Sequence, residues 1–207
     1  ILQMIGGAAE VIYYGLKKNE IKRVSLSWGI LYPNLERLRK FMLDMLDYSK
    51  DRKLEIGQCD FNKTIKGSIK LLKSKVQKLG SLVVLVEDRD IPIIELDSER
   101  IHEMSLNIIL NAMDIVDPET GVVRVETKYL HETEQVQLIV SDNGPGMTEE
   151  IKKKIFTPFK SGKNKLGTGL GMAIAKQIID QHKGTIKVDS HPQEGATFTV
   201  TLPAKTV

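Results

Sequence analysis

An acidic residue closes an apolar run in this 207-residue chain. In the segment "EQVQLIVSDNGPGM" the alternation of a β-strand puts Asp142 on the same face as Val136, Leu138 and Val140. A carboxylate on an otherwise apolar face costs stability unless a hydrogen-bond donor meets it. The pattern therefore predicts a buried acceptor whose donor has to be found elsewhere.

A second group of polar residues lies on a predicted helix, "SERIHEMSLNIILNAMDIV". Glu103, Asn107, Asn111 and Asp114 follow one another at steps of four, four and three, which places them on one stripe. Asn is a mediocre helix former, and two Asn one turn apart on an otherwise apolar helix suggest oxygen ligands for a cation or a phosphate. A solvated stripe on an amphipathic helix is the alternative interpretation.

A glycine-rich turn, "LGTGLGM", introduces the apolar-periodic segment "MAIAKQIID". Glycines at a helix start expose backbone N–H groups that bind phosphate oxygens, although such turns also serve tight packing. The spacing fits neither a Walker loop nor a dinucleotide fingerprint. The preceding "IFTPFKSGKNK" is rich in Lys and is predicted to form a mobile flap over a phosphate.

The first fifty residues predict an antiparallel helical hairpin with a turn at Asn19. The second helix carries a heptad seam that Pro33 is expected to kink. The seam consists of Val24, Trp28, Leu31, Leu35, Leu38, Met42 and Met45. A lone hairpin cannot bury both faces, so pairing with a second copy as a dimeric four-helix bundle is expected. A hairpin packed only on its own chain is the alternative.

The rest of the chain alternates helices and strands. Helices are predicted near 61–79, from Asp97 or Ser98 to Val116, and near 168–182. Strands are predicted near 82–87, 92–95, 121–130, 135–142, 185–190 and 195–202. The fold class is α+β: the hairpin (1–52), a linker (53–60) and an α/β sandwich (61–207) of mixed sheet with helices on one face.

Composition excludes several classes of protein. With 41% hydrophobic and 28% charged residues, the chain suits one or two globular domains. A net charge of +3, spread along the chain, does not imply a nucleic-acid partner. The single Cys59 and the lack of an apolar run of about 18 residues favour a reducing cytosol without membrane contact. The start "ILQMIGG", which has no initiator Met, suggests a fragment.

Four segments taken in order resemble the nucleotide-binding boxes of the histidine kinase catalytic domain. These are "NIILNA", "DNGPGM", "FTPF" and "GTGLGM". The domain belongs to the superfamily that also holds the gyrase, heat-shock chaperone and mismatch-repair ATPases. The closing "QHKGTIKVDSHPQEGATFTVTLP" is similar to its last strands, and the first fifty residues are similar to the family's dimerisation hairpin.

The resemblance implies a Bergerat-type ATP-binding fold that takes ATP or ADP with Mg²⁺. Asp142 would accept a hydrogen bond from the amine of adenine, and Asn111 would ligate Mg²⁺. The other implied nucleotide-binding residues are Asn107, Asp114, Gly144, Gly146, Met147, Lys163, Gly167, Thr168, Gly169, Leu170, Gly171 and Thr197.

This sequence departs from the family's patterns at two places. Hydrolases of the superfamily carry Glu where Asn107 stands, and an amide cannot act as a general base, which favours kinase chemistry. The kinases' phosphoacceptor box is absent, so the acceptor His is expected a few residues before Ile1. His102, His131, His182 and His191 are interpreted as structural or solvated.

We therefore expect the core of a cytoplasmic sensor histidine kinase, a homodimer that phosphorylates a His and passes the phosphoryl group to an Asp of a response regulator. An upstream sensor domain is the further partner expected. The chain of 207 residues should bind nucleotide without autophosphorylating. The alternatives are an anti-sigma-factor-type serine kinase, a non-catalytic nucleotide-sensing scaffold and, less in keeping with Asn107, a clamp ATPase.

Overall fold

The computed structural model describes residues 1–49, 52–79, 82–160 and 168–206. The chain divides into two compact units, Ile1–Lys50 and Asp51–Val207. Among the helices of these described ranges, none combines the length and apolar composition needed to cross a bilayer.

The first unit is the predicted helical hairpin. Helices α1 (Leu2–Lys17) and α2 (Ile21–Ser49) pack against each other. Asn19 adopts a left-handed conformation (φ 59°) in the turn, and the N–H of Glu20 donates to the carbonyl of Gly15 at 2.8 Å. Helix α2 continues through Pro33, so the proline does not end the helix. These observations confirm the hairpin and the position of its turn.

Half of the heptad seam on α2 remains uncovered within the hairpin. Val24, Leu31 and Leu38 are half-buried, whereas Trp28 and Met42 are 55% and 57% exposed. Trp28, Leu35 and Met42 recur every seven residues and form an exposed row, and the last seam member, Met45, is exposed as well. The hairpin therefore presents an apolar row that its own two helices do not cover.

The second unit contains the remaining helices and strands. Its helices are α3 (Phe61–Leu79), α4 (Ser98–Met113), α5 (Glu149–Lys154) and α6 (Gly171–Gln181). Its strands are β1 (Gly57–Cys59), β2 (Leu82–Val86), β3 (Ile94–Leu96), β4 (Val122–Leu130), β5 (Gln135–Asp142), β6 (Thr185–Ser190) and β7 (Ala196–Pro203).

Five strands form a mixed sheet in the order β2-β4-β5-β7-β6. Strand β2 pairs with β4 in parallel, and the other pairs are antiparallel. Helices α3, α4 and α6 pack on one face of this sheet. Alternate residues of β5 and β7 are buried under the helices, with Val140, Phe198 and Val200 at most 1% exposed. The predicted sandwich with helices on one face is confirmed.

Helix α4 begins where the sequence predicts. Asp97 is its N-cap, and its Oδ1 accepts a hydrogen bond from the N–H of Arg100 at 3.1 Å. The apolar side of α4 is fully buried at Ile101, Met104 and Ile108, each contributing about 1.5–3 kcal/mol to stability through burial. Packing on this side fixes the polar stripe along the helix on the other side.

Two short elements differ from the sequence prediction. Residues 57–59 belong to the predicted linker, but they form strand β1, which pairs antiparallel with β3. Helix α5 was not predicted; it spans six residues after the "DNGPGM" loop. Each element is too short for its pattern of apolar and polar residues to distinguish it from a loop.

Candidate nucleotide-binding site

Asp142 is the last residue of β5 and lies on the buried face of the sheet, 9% exposed. Its Oδ1 accepts a hydrogen bond from the N–H of Gly144 at 2.9 Å, and the N–H of Ala196 also donates to its carboxylate. Burial raises the pKa of the Asp142 carboxyl, while the two backbone donors act in the opposite direction. The predicted burial of this carboxylate is confirmed, and its donors are backbone groups.

The loop after Asp142 lies against the carboxyl end of α4. A Cβ at Gly144 would come within 2.8 Å of Asp142 Oδ1 and 3.2 Å of the Ile115 side chain. A residue with a side chain would therefore push the loop away from both groups. Asp114, the C-cap of α4, is exposed beside this end of the helix.

The amides of Asn107 and Asn111 are half-buried on the polar stripe of α4. Within the described ranges, no group forms a hydrogen bond with either amide. Glu103, one turn before Asn107, is instead paired with Arg100. The two amides are thus the stripe residues that remain free to take a ligand.

Asn107 meets the first residue of α6. An ideal Cβ at Gly171 would lie 2.9 Å from Asn107 Oδ1, so a side chain at position 171 would displace the end of the Asn107 side chain. The six residue steps from Asn107 to Met113, the last residue of α4, span about 9 Å along the helix. The start of α6 therefore lies beside the middle of α4, and the carboxylate of Asp142 lies near the carboxyl end of α4.

Among the described residues, no side chain caps the first backbone donors of α6. Leu170 is the N-cap and is fully buried, and it makes no side-chain capping hydrogen bond. Thr168 Oγ1 accepts the N–H of Leu170 at 3.4 Å, and the carbonyl of Gly169 accepts the N–H of Phe159 at 3.0 Å. First-turn N–H groups without a cap attract anions. Lys163 and Gly167, both predicted to contact phosphate, lie outside the described residues.

Gly146 and Met147 belong to the loop that Asp142 starts. Met147 is 7% exposed, and its N–H donates to Ser190 Oγ at 2.9 Å. Gly146 has φ +65° and lies against the turn between β6 and β7. The structure therefore brings Asp142, Gly144, Gly146 and Met147 together in one loop.

Thr197 does not join this site. It pairs with Ser141 in the sheet, and its Oγ1 donates to Ser141 Oγ at 3.0 Å. Successive residues of a strand face opposite sides, so this pair lies on the face opposite Asp142. Ala196, the register partner of Asp142 on β7, is the residue that lies beside it on the buried face.

Three further residues hold the loop, and the sequence analysis did not single them out. They are Asn143, Ser190 and Ala196. The side chain of Asn143 accepts the N–H of Val122 at 2.8 Å and donates to the carbonyl of Thr120 at 2.9 Å. Their roles depend on contacts between distant segments, and a single motif carries no signal for such contacts.

Sequence relatives agree with this geometry. The profile of the histidine kinase-, DNA gyrase B- and HSP90-like ATPase family matches residues 96–206. The signal transduction histidine-protein kinase AtoS of Escherichia coli (strain K12) is 30% identical over 84% of the chain and 28% of its own length. The sensor histidine kinase ZraS of Klebsiella oxytoca is 33% identical over 81% of the chain and 36% of its own length. The chain thus spans about a third of these relatives.

Solved structures share the fold. The crystal structure of histidine kinase ThkA in complex with response regulator protein TrrA superposes with a TM-score of 0.72 at 26% identity, over 99% of this chain and 61% of that chain. Full-length ShkA in complex with AMPPNP superposes with a TM-score of 0.77 over 90% of this chain and 40% of that chain. At 22% identity, the likeness to ShkA shows the fold alone.

The buried carboxylate, the free amides of α4 and the glycine-rich start of α6 lie within the matched residues 96–206. The chain therefore belongs to the histidine kinase-, DNA gyrase B- and HSP90-like ATPase family and carries the catalytic domain of a two-component sensor histidine kinase.

Proposed function

We propose that this chain is the dimerisation and catalytic core of a sensor histidine kinase. It binds ATP with Mg²⁺ and transfers the γ-phosphoryl group to a histidine, from which an aspartate of a response regulator takes it. The observation that carries the proposal is the buried carboxylate of Asp142, held by backbone donors at the edge of a region that the free amides of α4 line.

Asp142 recognises the base in this proposal. A carboxylate offers acceptors only, so it matches the exocyclic amine of adenine and opposes the keto oxygen of guanine. Burial strengthens this preference, because a donor that fails to form the bond leaves a desolvated charge without compensation. Gly144, Gly146 and Met147 shape the loop around the base.

The triphosphate lies farther back along α4, beside Asn107 and the start of α6. The uncapped N–H groups at the start of α6 and the residues from Gly167 to Gly171 bind phosphate oxygens, with Lys163 as a further cation. Asn111 ligates Mg²⁺ and Asn107 contacts a phosphate or a metal-bound water. An amide and phosphate oxygens are ligands that Mg²⁺ accepts. In the described ranges no three His, Cys, Asp or Glu side chains form a metal cluster, which suits an ion held largely by phosphates.

Mg²⁺ supplies neutralisation of the charge on the phosphates. The chain itself supplies position, since phosphoryl transfer needs little covalent help from the protein. Asn107 cannot remove a proton from water, so the site favours transfer to a protein acceptor over steady hydrolysis.

None of the four histidines suits the role of acceptor. His182 is buried, and His102 Nδ1 contacts Ser68 Oγ at 2.8 Å between α3 and α4. His131 and His191 are exposed in turns of the catalytic unit. We therefore expect residues 1–207 to bind nucleotide without phosphorylating themselves. Acid-labile, base-stable phosphate on this chain after incubation with labelled ATP would contradict that expectation.

The partners follow from the same assignment. The uncovered apolar row of α2 supports a homodimer through the hairpin. The solved structure of ThkA in complex with the response regulator TrrA supports a receiver domain as the acceptor of the phosphoryl group. A sensor domain outside residues 1–207 would supply the signal, and the catalytic core would work in the cytoplasm.

Isothermal titration calorimetry tests the proposal. Residues 1–207 should bind ATP and ADP with Mg²⁺ and should bind GTP much more weakly. Asp142→Ala should abolish the preference for adenine and weaken ATP binding by about tenfold or more, as expected for a hydrogen bond to a charged group. A chain indifferent to adenine nucleotides, or an alanine variant that binds ATP as tightly as the wild type, would refute it.

A further inference from the structure

Ser190 joins two segments that flank the candidate base site. It is the last residue of β6 and is 4% exposed. Its Oγ accepts the N–H of Met147 at 2.9 Å and donates to the carbonyl of Gly195 at 2.6 Å. A hydroxyl has one donor and two acceptor positions, so both bonds form at once. One buried side chain therefore fixes the loop after β5 to the turn between β6 and β7.

Ser190 and Asp142 lie in one row across the sheet. Asp142 is the register partner of Ala196, and Ala196 is the register partner of Ser190. Register partners point to the same face of a sheet, so all three face the helices. With neighbouring strands about 4.8 Å apart, Ser190 is about 10 Å from Asp142.

The loop and the turn meet backbone to backbone. The N–H of Gln193 donates to the carbonyl of Pro145 at 2.7 Å. A Cβ at Gly146 would lie 1.9 Å from the carbonyl oxygen of His191, and a Cβ at Gly195 would lie 1.9 Å from that of Asp142. Both glycines have positive φ, +65° and +76°. The loop and the turn are in such close contact that hydrogen bonds between them set their relative position.

The opposite side of the loop is fixed as well. Asn143 holds it to the start of β4 through its bonds to Val122 and Thr120. Asp142 therefore lies between two attachments, Asn143 towards β4 and Ser190 towards β6. The β6 side also supplies the N–H of Ala196, one of the two backbone donors to the carboxylate.

We propose that Ser190 is a positioning residue for base recognition. By fixing the turn at Gly195 and the loop at Met147, it holds the N–H of Ala196 and the carboxylate of Asp142 in one orientation. That orientation decides how well the carboxylate meets the amine at position 6 of a purine. The inference rests on the proposed function, because it assumes that Asp142 receives an adenine ring.

Removing the hydroxyl should lower base discrimination more than it lowers general nucleotide affinity. In Ser190→Ala the N–H of Met147 and the carbonyl of Gly195 lose their buried partner. The turn then shifts, and the donor at Ala196 shifts with it. Contacts to the triphosphate, beside Asn107 near the middle of α4, remain.

The test compares the binding of ATP and ITP to residues 1–207 with Mg²⁺ by calorimetry. The two nucleotides differ in the amine or keto group at position 6, so the ratio of their dissociation constants reports the Asp142 contact. We expect the wild type to prefer ATP by about tenfold or more. In Ser190→Ala the ratio should fall at least threefold while ITP affinity changes less than twofold. Ser190→Thr, which keeps a hydroxyl, should retain most of the wild-type ratio.

Ser68→Ala is the matched control. Ser68 is a fully buried serine whose hydroxyl bonds to Ser105 Oγ at 2.6 Å, away from the loop. Its loss should lower the melting temperature without changing the ATP-to-ITP ratio. A general loss of stability would affect both alanine variants alike, so a change confined to Ser190→Ala marks positioning.

Each result decides a different claim. If the wild type binds neither nucleotide, or does not distinguish them, the proposed function itself fails. If the wild type discriminates and Asp142→Ala does not, but Ser190→Ala keeps the full ratio, the role of Ser190 is refuted alone. Should Ser190→Ala not fold, Ser190→Cys replaces the hydroxyl with a weak thiol, and an unchanged ratio in that variant overturns the inference equally.

Discussion

Asn107 Oδ1 lies next to Gly171, only 2.9 Å from the position that a Cβ atom would take there. The contact joins the polar stripe of α4 to the first residue of α6. In the proposed site, this is where the amide of one helix and the backbone donors of the other face the same phosphates. We therefore expect the closeness of the two helices to matter for nucleotide binding, and a methyl group should disturb it.

Gly171→Ala should weaken nucleotide binding with little effect on stability. The added methyl group displaces the end of the Asn107 side chain, which is flexible and moves at low cost, while Ala is tolerated at a helix start. We expect ATP affinity to fall about tenfold or more and the melting temperature to change by no more than about 3 °C.

Gly67→Ala provides the control for this prediction. Gly67 lies in α3, and a Cβ there would make an ordinary contact with His102 at 3.8 Å. That variant should keep wild-type affinity in calorimetry. Equal affinities for Gly171→Ala and the wild type would show that the Asn107 contact is packing alone.

Asp142→Asn should separate binding from stability. Burial raises the pKa of the Asp142 carboxyl, so above the unfolded value of about 3.9 the charge disfavours the folded state. An amide keeps an oxygen for the N–H of Gly144 and removes that charge. The nucleotide-free variant should therefore unfold at the same temperature as the wild type at pH 7, or at a higher one.

The same variant should lose the thermal shift that ATP gives the wild type. An acceptor-only carboxylate becomes an amide whose NH₂ opposes the amine of adenine. Differential scanning fluorimetry with and without ATP and Mg²⁺ measures both effects. A nucleotide-free variant that is several degrees less stable would show instead that the carboxylate is needed for folding.

Local patterns predicted much of this fold because each is fixed within one element. The alternation through β5 placed Asp142 correctly on the buried face, and the N-cap Asp97 marked the start of α4. The hairpin turn was found at Asn19 because the apolar spacing is interrupted there. In each case, the physical cause lies within a few residues of the effect.

The roles of Thr197, Ser190 and Asn143 were not predicted correctly from the sequence. The alternation of Phe198 and Val200 already indicates that Thr197 faces away from the helices. The prediction that Thr197 binds nucleotide came from the family resemblance and did not use this alternation. Ser190 and Asn143 act on backbone groups 43 and 21 residues away. No periodicity records such partners, since they depend on strand order and register.

His182 should make the catalytic unit less stable in mild acid. Its Nε2 accepts the N–H of Asp97 at 3.3 Å, and its Nδ1 donates to the carbonyl of Ile178 at 2.9 Å, so the ring must be neutral. Burial lowers the pKa of His182, helped by the Arg100 guanidinium and opposed by the Ile178 hydrogen bond and the Asp97 carboxylate.

The direction of the pH effect follows from that lowered pKa. Below the unfolded value of about 6.5, the unfolded chain takes up a proton that the folded chain does not, so the free energy of unfolding falls as the pH falls. One such group gives at most about 1.4 kcal/mol per pH unit. Urea unfolding followed by circular dichroism between pH 7.5 and 5.5 measures the slope.

His182→Gln should flatten this pH dependence. It should also cost about 1–3 kcal/mol at pH 7.5, because buried hydrogen bonds are lost. His131→Gln, at an exposed position in the turn after β4, should leave the slope unchanged. A slope that persists in full in His182→Gln would assign the effect to another group.

The exposed half of the heptad seam should decide whether the chain dimerises. Trp28, Leu35 and Met42 recur every seven residues on α2 and remain exposed within one hairpin, at 55%, 40% and 57%. A second hairpin that covers this row would complete a four-helix core. Leu35→Glu would bury a charge in that core, and we expect it to convert a dimer to a monomer in sedimentation velocity.

Leu26→Glu makes the same chemical change elsewhere on the helix. Leu26 is 74% exposed and lies two residues before Trp28, about 200° away around the helix axis. Because it points away from the seam, its variant should remain dimeric at the concentration where Leu35→Glu is monomeric. A wild-type chain that sediments as a monomer would favour the other interpretation, a hairpin packed only on its own chain.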